Sequence, residues 1–136
     1  MPRTEISRLV CTTFLMLLGF PAVSQESARK GADTESGQLT FNNACRTCHT
    51  MKEGDNRLGP SLSGIVGKKA GTVTGFAYSD SLKNSGITWD EATLDKWIAD
   101  PESVVANNKM KPYTGMTDAN ARATIITFLK QGAQQK

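Results

Sequence analysis

Apolar residues recur at helical spacing in three stretches of the chain, which are separated by polar or glycine-rich segments. The first stretch has four residues at i, i+3, i+4 and i+7, namely Phe41, Ala44, Cys45 and Cys48. These positions share one face of a helix. The pattern predicts a first helix from about residue 35 to residue 48.

A second main helix is predicted over residues 89–99. A capping box of Thr88 and Glu91 marks its start, and Asp100-Pro101 marks its end. Between these signals, leucine, tryptophan and isoleucine stand at i, i+3 and i+4, which gives the helix one apolar face.

Two more helices have recognisable ends. A short one is expected after Ser79, as its cap, and before Gly86, which supplies a left-handed residue. The last begins at Thr117 or Asp118, lines one face with apolar residues and closes at Gly132.

Residues 50–78 contain six glycines and neither a helical period nor sustained alternation. So long a loop in a small domain is usually functional, because unpaired backbone is costly to bury. We expect it to wrap a flat apolar group. No strand longer than a bridge is predicted, so the fold class is all-α.

The N-terminus has the pattern of a secretory signal. Arg3 and Arg8 precede an apolar stretch of 12 residues, and small residues follow at Ala22 and Ser24. A retained membrane anchor is the alternative, but a spanning helix needs roughly 20 apolar residues. The expected divisions are a cleaved signal peptide over residues 1–24, a flexible leader over 25–34, one domain over 35–132 and a tail over 133–136.

The cysteines point to one kind of chemistry. Of three in the chain, Cys11 leaves with the signal, and Cys45 and Cys48 stand beside His49, the single histidine. This C-x-x-C-H sequence is the attachment signature of c-type haem. On a helix both sulfurs would face the porphyrin edge while the imidazole stands under the iron.

Other uses of these three residues are a zinc site or a disulfide. Zinc needs three or four protein ligands, and the motif offers two thiols and one imidazole, so carboxylates would have to complete the site. In an exported protein a stray cysteine pair usually becomes a disulfide. Haem attachment explains all three residues together.

Methionine is the remaining soft ligand for the sixth iron position, because the chain has no second histidine. Met51 is too close to His49 to reach the opposite face. Met110 lies in a polar loop between helices and is the preferred candidate, while Met116 and an open site remain alternatives.

The charge of the chain adds one exclusion. The net charge is +3, and loss of Arg3, Arg8 and Glu5 with the signal leaves a weakly positive chain. No basic stripe interleaved with aromatic residues occurs. Nucleic acid is therefore not an expected partner.

Residues 37–132 resemble a class I cytochrome c of the mitochondrial and alphaproteobacterial type. The resemblance covers nearly the whole mature chain and is far more specific than C-x-x-C-H alone. The matching stretches are Cys45–His49, Leu58–Gly64, Gly75–Ser79, Gly86–Trp89, Leu94–Pro101 and Lys109-Met110.

The resemblance implies three main helices and a short one around a single covalent haem. The first and last helices would cross near a right angle at Gly37 and Phe128. The implied pocket roles are Pro60 and Met110 against opposite haem faces, Tyr78 and Trp89 as hydrogen-bond donors to a propionate, Trp97 beside the ligand methionine, and Asn108 at a position where the family often has threonine.

The sequence also departs from the family. Lys68 stands where many relatives have arginine, and Leu82 stands where asparagine is common. The family pattern therefore does not predict the hydrogen bonds around the propionates and the internal water. The ring of docking lysines is thin, with Lys109, Lys111 and Lys52 as candidates.

The resemblance implies a soluble, monomeric, periplasmic electron carrier with no catalytic residues and no small-molecule substrate. Its expected partners are membrane respiratory complexes or periplasmic dehydrogenases. The alternatives are a haem peroxidase and a haem-based sensor, both of which need an open sixth iron position.

Overall fold

The computed structural model describes residues 23–133, and side chains within residues 33–132. Over that range the chain forms five helices: α1 (Val23–Ala44), α2 (Asp80–Lys83), α3 (Glu91–Ala99), α4 (Pro101–Val104) and α5 (Ala119–Ala133). The one isolated bridge among these residues pairs Lys69 with Thr88. The predicted all-α fold class is confirmed.

Most of the predicted signal peptide and tail lies outside the described residues. The predicted signal peptide lies outside the described residues except for its last two positions, and the predicted tail except for its first. None of the helices in the described range combines the length and apolar character needed to cross a bilayer.

Helix α1 differs from its prediction at both ends. It begins at Val23 rather than near residue 35, so residues 25–34, predicted as a flexible leader, are helical. This segment is polar but contains Glu, Ala, Arg and Lys, which favour helix, and apolar periodicity does not detect that preference. At its other end α1 stops at Ala44, and Cys45–Cys48 form a hydrogen-bonded turn.

Helix α3 begins two residues later than predicted, and its cap was predicted wrongly. The N-cap is Asp90, whose side chain accepts a hydrogen bond from the Thr93 amide at 2.7 Å. Thr88 instead lies before the helix, in a main-chain bridge with Lys69. At Asp100 the helix ends as predicted, and the chain then starts the unpredicted one-turn helix α4.

The short helix and the last helix lie close to their predicted positions. Ser79 caps α2 as expected, but α2 ends at Lys83, and Gly86 lies beyond it with φ +70°. The Asp118 carboxylate accepts hydrogen bonds from the first amides of α5. Gly132 does not close α5, which continues to Ala133.

Helix α5 packs against both α1 and α3. At the contact with α1, a Cβ on Gly37 would lie 2.6 Å from Phe128 Cβ, so only glycine allows this approach, as the family resemblance implied. Ile125 and Leu129 of α5 are the most buried large side chains among the described residues. We call α1, α3 and α5 the three-helix frame. The long loop after α1 packs against this frame.

Candidate functional site

A cleft lies between the frame and the loops, and its walls are mostly apolar. It encloses about 1220 Å³ of empty space, its open mouth included. The structure brings every candidate site residue to this cleft: Cys45, Cys48, His49, Pro60, Tyr78, Trp89, Trp97, Asn108 and Met110.

The two cysteines enter the cleft from the turn that follows α1. The His49 amide donates to Cys45 O at 2.9 Å and the Cys48 amide to the same oxygen at 3.1 Å, so the turn keeps the compact spacing expected of a helix. The two cysteines are not joined in a disulfide. Burial, and to a lesser extent the neighbouring Cys48, raises the pKa of Cys45 to about 11.

His49 is held by the backbone of the following loop. Its Nδ1 lies 2.8 Å from Pro60 O, and the side chain is buried. Because a carbonyl only accepts, Nδ1 carries the proton and Nε2 keeps its lone pair for a ligand. Burial lowers the pKa of His49, which also favours the neutral ring.

Gly59 contacts the face of this ring. A Cβ built on Gly59 would come within 2.6 Å of His49 Nδ1 and 2.8 Å of Nε2, too close for any side chain. The loop backbone therefore fixes both the position and the tautomer of the imidazole.

Met110 enters the cleft from the loop between α4 and α5. Its sulfur accepts a hydrogen bond from Trp97 Nε1 at 3.1 Å, and its amide donates to Asn108 Oδ1 at 2.9 Å. Met51 and Met116 are not among the residues that line the cleft. The structure thus separates Met110 from the two other candidate methionines.

Aromatic side chains form another wall. Trp89 and Trp97 meet edge to face with ring centroids 5.2 Å apart, and Phe76 and Tyr78 do so at 4.8 Å. Burial raises the pKa of Tyr78. The edge-to-face pairs hold the rings at fixed angles to the cleft.

Lys68 and Leu82, the two residues that depart from the family, have defined contacts in the structure. Lys68 Nζ donates to Ser63 O at 2.9 Å, so this cation is bound to the loop backbone. Leu82 is buried and contributes to the apolar wall.

Three residues near the site were not singled out from the sequence: Gly59, Glu102 and Tyr113. Tyr113 lines the cleft and its hydroxyl donates to Ile98 O at 2.6 Å. The Glu102 carboxylate binds the loop that carries Met110. A glycine before Pro60 was a visible signal for the first, but a surface glutamate and a loop tyrosine carry no pattern that distinguishes them.

These residues fit a haem. The cleft has apolar walls for the porphyrin, two thiols on one turn, and an imidazole whose free nitrogen is Nε2. Among the described residues, no three His, Cys, Asp or Glu side chains come together as a metal site, so the donor set matches a macrocycle rather than a zinc cage. The family model described as cytochrome c matches residues 34–133.

The chain belongs to the cytochrome c family. Cytochrome c2 of Rhodomicrobium vannielii is 41% identical over 119 residues, which cover 85% of this chain and 91% of that protein. Cytochrome c2 iso-2 of Magnetospirillum fulvum is 46% identical over 86 residues, 63% of this chain and 88% of that protein.

A solved structure gives the same result for the fold. Cytochrome cH from Methylobacterium extorquens superposes with a TM-score of 0.66 and 42% identity, covering 73% of this chain and 98% of that structure. As a cytochrome c, the protein is an electron-transport protein that carries haem c covalently through Cys45 and Cys48.

Proposed function

We propose that the protein is a soluble periplasmic carrier that shuttles single electrons through a haem c ligated by His49 and Met110. One observation carries this proposal. Two ligand side chains line the same apolar cleft, and each is held by a partner that leaves a lone pair for iron: His49 by Pro60 O and Met110 by Trp97 Nε1. When bound, the haem supplies a one-electron couple between ferrous and ferric iron.

His49 and Met110 would keep their positions in both oxidation states. The imidazole is packed against Gly59, and its Nδ1–H is bound to a main-chain oxygen. The methionine is tied through its amide to Asn108, which is buried. A site that moves little suits a carrier, because little reorganisation accompanies electron transfer.

The apolar side chains around the cleft support a raised reduction potential of the haem. Trp89, Trp97 and Leu82 are each less than 9% exposed, and they surround the cleft with side chains that exclude water. Methionine ligation and exclusion of water both favour the ferrous state.

The signal pattern at the N-terminus supports the periplasm as the compartment. There the proposed partners are a membrane respiratory complex or a periplasmic dehydrogenase. Of the lysines that line the cleft, Lys111 is neutralised by Glu102 at 2.8 Å, whereas Lys109 lies in an exposed loop. Steering by charge is therefore expected to be weak and salt-sensitive.

Absorption spectra of the periplasmic fraction test the proposal, with Met110→Ala as the variant and Met116→Ala as the matched control. The ferric wild type and Met116→Ala should both show an iron–thioether band that Met110→Ala lacks. Met110→Ala should also bind carbon monoxide when reduced, whereas the wild type should not.

A wild-type protein without the iron–thioether band would contradict the carrier proposal. A wild type that is already high-spin and binds carbon monoxide has an open sixth position. The carrier proposal would then fail, and turnover of peroxide would decide between the peroxidase and the sensor.

A further inference from the structure

We propose that Glu102 is a positioning residue that holds the loop carrying Met110 closed over the cleft. We call residues 107–111 the ligand loop. This inference rests on the proposed ligation by Met110 and assigns the control of that bond to a residue that does not line the cleft.

One carboxylate binds the ligand loop at three points. Glu102 Oε1 accepts from the Asn107 amide at 2.8 Å. Its Oε2 accepts from Asn108 Nδ2 at 3.0 Å and from Lys111 Nζ at 2.8 Å. These donors lie on both sides of Met110 in the sequence, so the carboxylate spans the loop.

The hydrogen bonds continue from Glu102 to the backbone of Met110. Asn108 is 5% exposed and uses its amide group at both ends. Its nitrogen donates to Glu102 and to Val105 O, and its oxygen accepts from the Met110 amide at 2.9 Å. Movement of Glu102 would therefore remove one of the two acceptors that hold the side chain bound to the Met110 amide.

Glu102 is itself anchored at the start of α4. The N-cap Asp100 accepts from the Glu102 amide at 3.1 Å, and Pro101 supplies the first helical residue. The carboxylate thus projects from a fixed backbone rather than from a free chain.

Two features distinguish this arrangement from an ordinary surface ion pair. A lone exposed pair contributes little, whereas here two of the three donors belong to the main chain and a buried amide of the ligand loop. In addition, Asn107 has φ +59°, a left-handed conformation that is uncommon outside glycine and that asparagine adopts more readily than most residues. Glu102 binds its amide and Ser81 Oγ binds its carbonyl at 3.0 Å.

Binding of exogenous imidazole to the ferric protein measures how often the loop opens, because imidazole enters only where Met110 has left. The apparent affinity equals the intrinsic affinity multiplied by the open fraction. Glu102→Gln preserves the side-chain volume but places an amide nitrogen against at least one donor, and Glu102→Ala removes every contact. Glu91→Gln is the matched control, because among the described residues the ion pair of Glu91 is with Lys130, on α5, and not with the ligand loop.

We expect Glu102→Ala to bind imidazole about tenfold more tightly than the wild type, with Glu102→Gln between them, since charge-assisted hydrogen bonds to the loop are lost. Glu91→Gln should match the wild type in this assay even if its midpoint of unfolding falls equally. Lys111→Gln should have less effect than Glu102→Gln, because it leaves the bonds to Asn107 and Asn108.

Imidazole affinities of both Glu102 variants within about twofold of the wild type and of Glu91→Gln would overturn the inference. Equal increases in Glu102→Gln and Glu91→Gln would also overturn it, because they would show a general loss of stability. A wild type without an iron–thioether band is a separate result: it removes the ligation by Met110 and the inference with it, whatever the Glu102 variants do.

Discussion

The indole nitrogen of Trp97 donates a hydrogen bond to the sulfur of Met110 across 3.1 Å. Trp97 lies on α3 and is 7% exposed, so water cannot replace this bond. The donor draws electron density away from the thioether sulfur. A thioether that donates less electron density to iron stabilises the ferric state less, which raises the reduction potential.

Trp97→Phe should therefore lower the reduction potential. Loss of one buried hydrogen bond to the sulfur favours the ferric state by an amount on the order of tens of millivolts. Voltammetry of the purified protein measures the shift. The iron–thioether band must persist in the variant, and an unchanged or higher potential with that band intact would contradict the role of Trp97.

Gly59→Ala should disturb the imidazole more than any other glycine substitution in the long loop. The new methyl group would lie 2.6 Å from His49 Nδ1, and the ring cannot retreat while Pro60 O holds it. We expect a loss of more than about 2 kcal/mol of stability and an altered visible spectrum.

Gly67→Ala is the control for that substitution. Gly67 has φ +87° but no atom within 4 Å of its would-be Cβ, so alanine there meets strain without a clash. It should cost about 1 kcal/mol and leave the spectrum unchanged. Equal spectra for both variants would show that Gly59 does not position the ring.

Gly37→Ala should weaken the contact between α1 and α5. Alanine favours helix by about 1 kcal/mol, but its Cβ would lie 2.6 Å from Phe128 Cβ, an atom next to the backbone that cannot move aside. The overpacking should dominate and destabilise by about 1–3 kcal/mol. Denaturant unfolding checks this, with Gln38→Ala on the exposed side of α1 as a neutral control.

Tyr113 should contribute stability that is lost at alkaline pH. Burial is the main cause that raises its pKa from 10.0 to about 12. The folded state thus favours the neutral phenol, which donates to Ile98 O at 2.6 Å. Relative to Tyr113→Phe, the wild type should be more stable by about 1 kcal/mol at neutral pH.

That difference in stability should be constant below pH 10 and should fall as the pH rises from 10.0 towards about 12. In this range the Tyr113 phenol ionises in the unfolded chain but stays neutral in the folded protein, which stabilises the unfolded state. Unfolding free energies of both proteins across this range measure it. Titrating groups that do not interact with Tyr113 are common to both proteins and cancel. A difference that does not change with pH would contradict the raised pKa.

Local sequence patterns predicted the parts of the site that lie close together in the chain. Cys45, Cys48 and His49 are neighbours, so their joint position follows from one turn. The inward face of α3 was visible as Leu94, Trp97 and Ile98, all of which are buried.

The remaining features depend on contacts between distant segments. Thr88 and Asp90 are both good caps, and no local pattern shows that Thr88 lies in a bridge with the distant Lys69 while Asp90 caps the helix. Helix α4 is a single turn, too short for an apolar period to reveal. The role proposed for Glu102 depends on the ligand loop returning to it, which no local pattern specifies.

Pro60 holds His49 with a main-chain oxygen, and every amino acid has that oxygen. No single substitution at residue 60 can delete the acceptor, so the polarisation of the imidazole is protected from most point mutations. Evolution could alter it only by rerouting the backbone, whereas the side chains around Met110 can be exchanged one at a time. Within such a lineage, variation in reduction potential should therefore arise around Met110, the proposed second ligand.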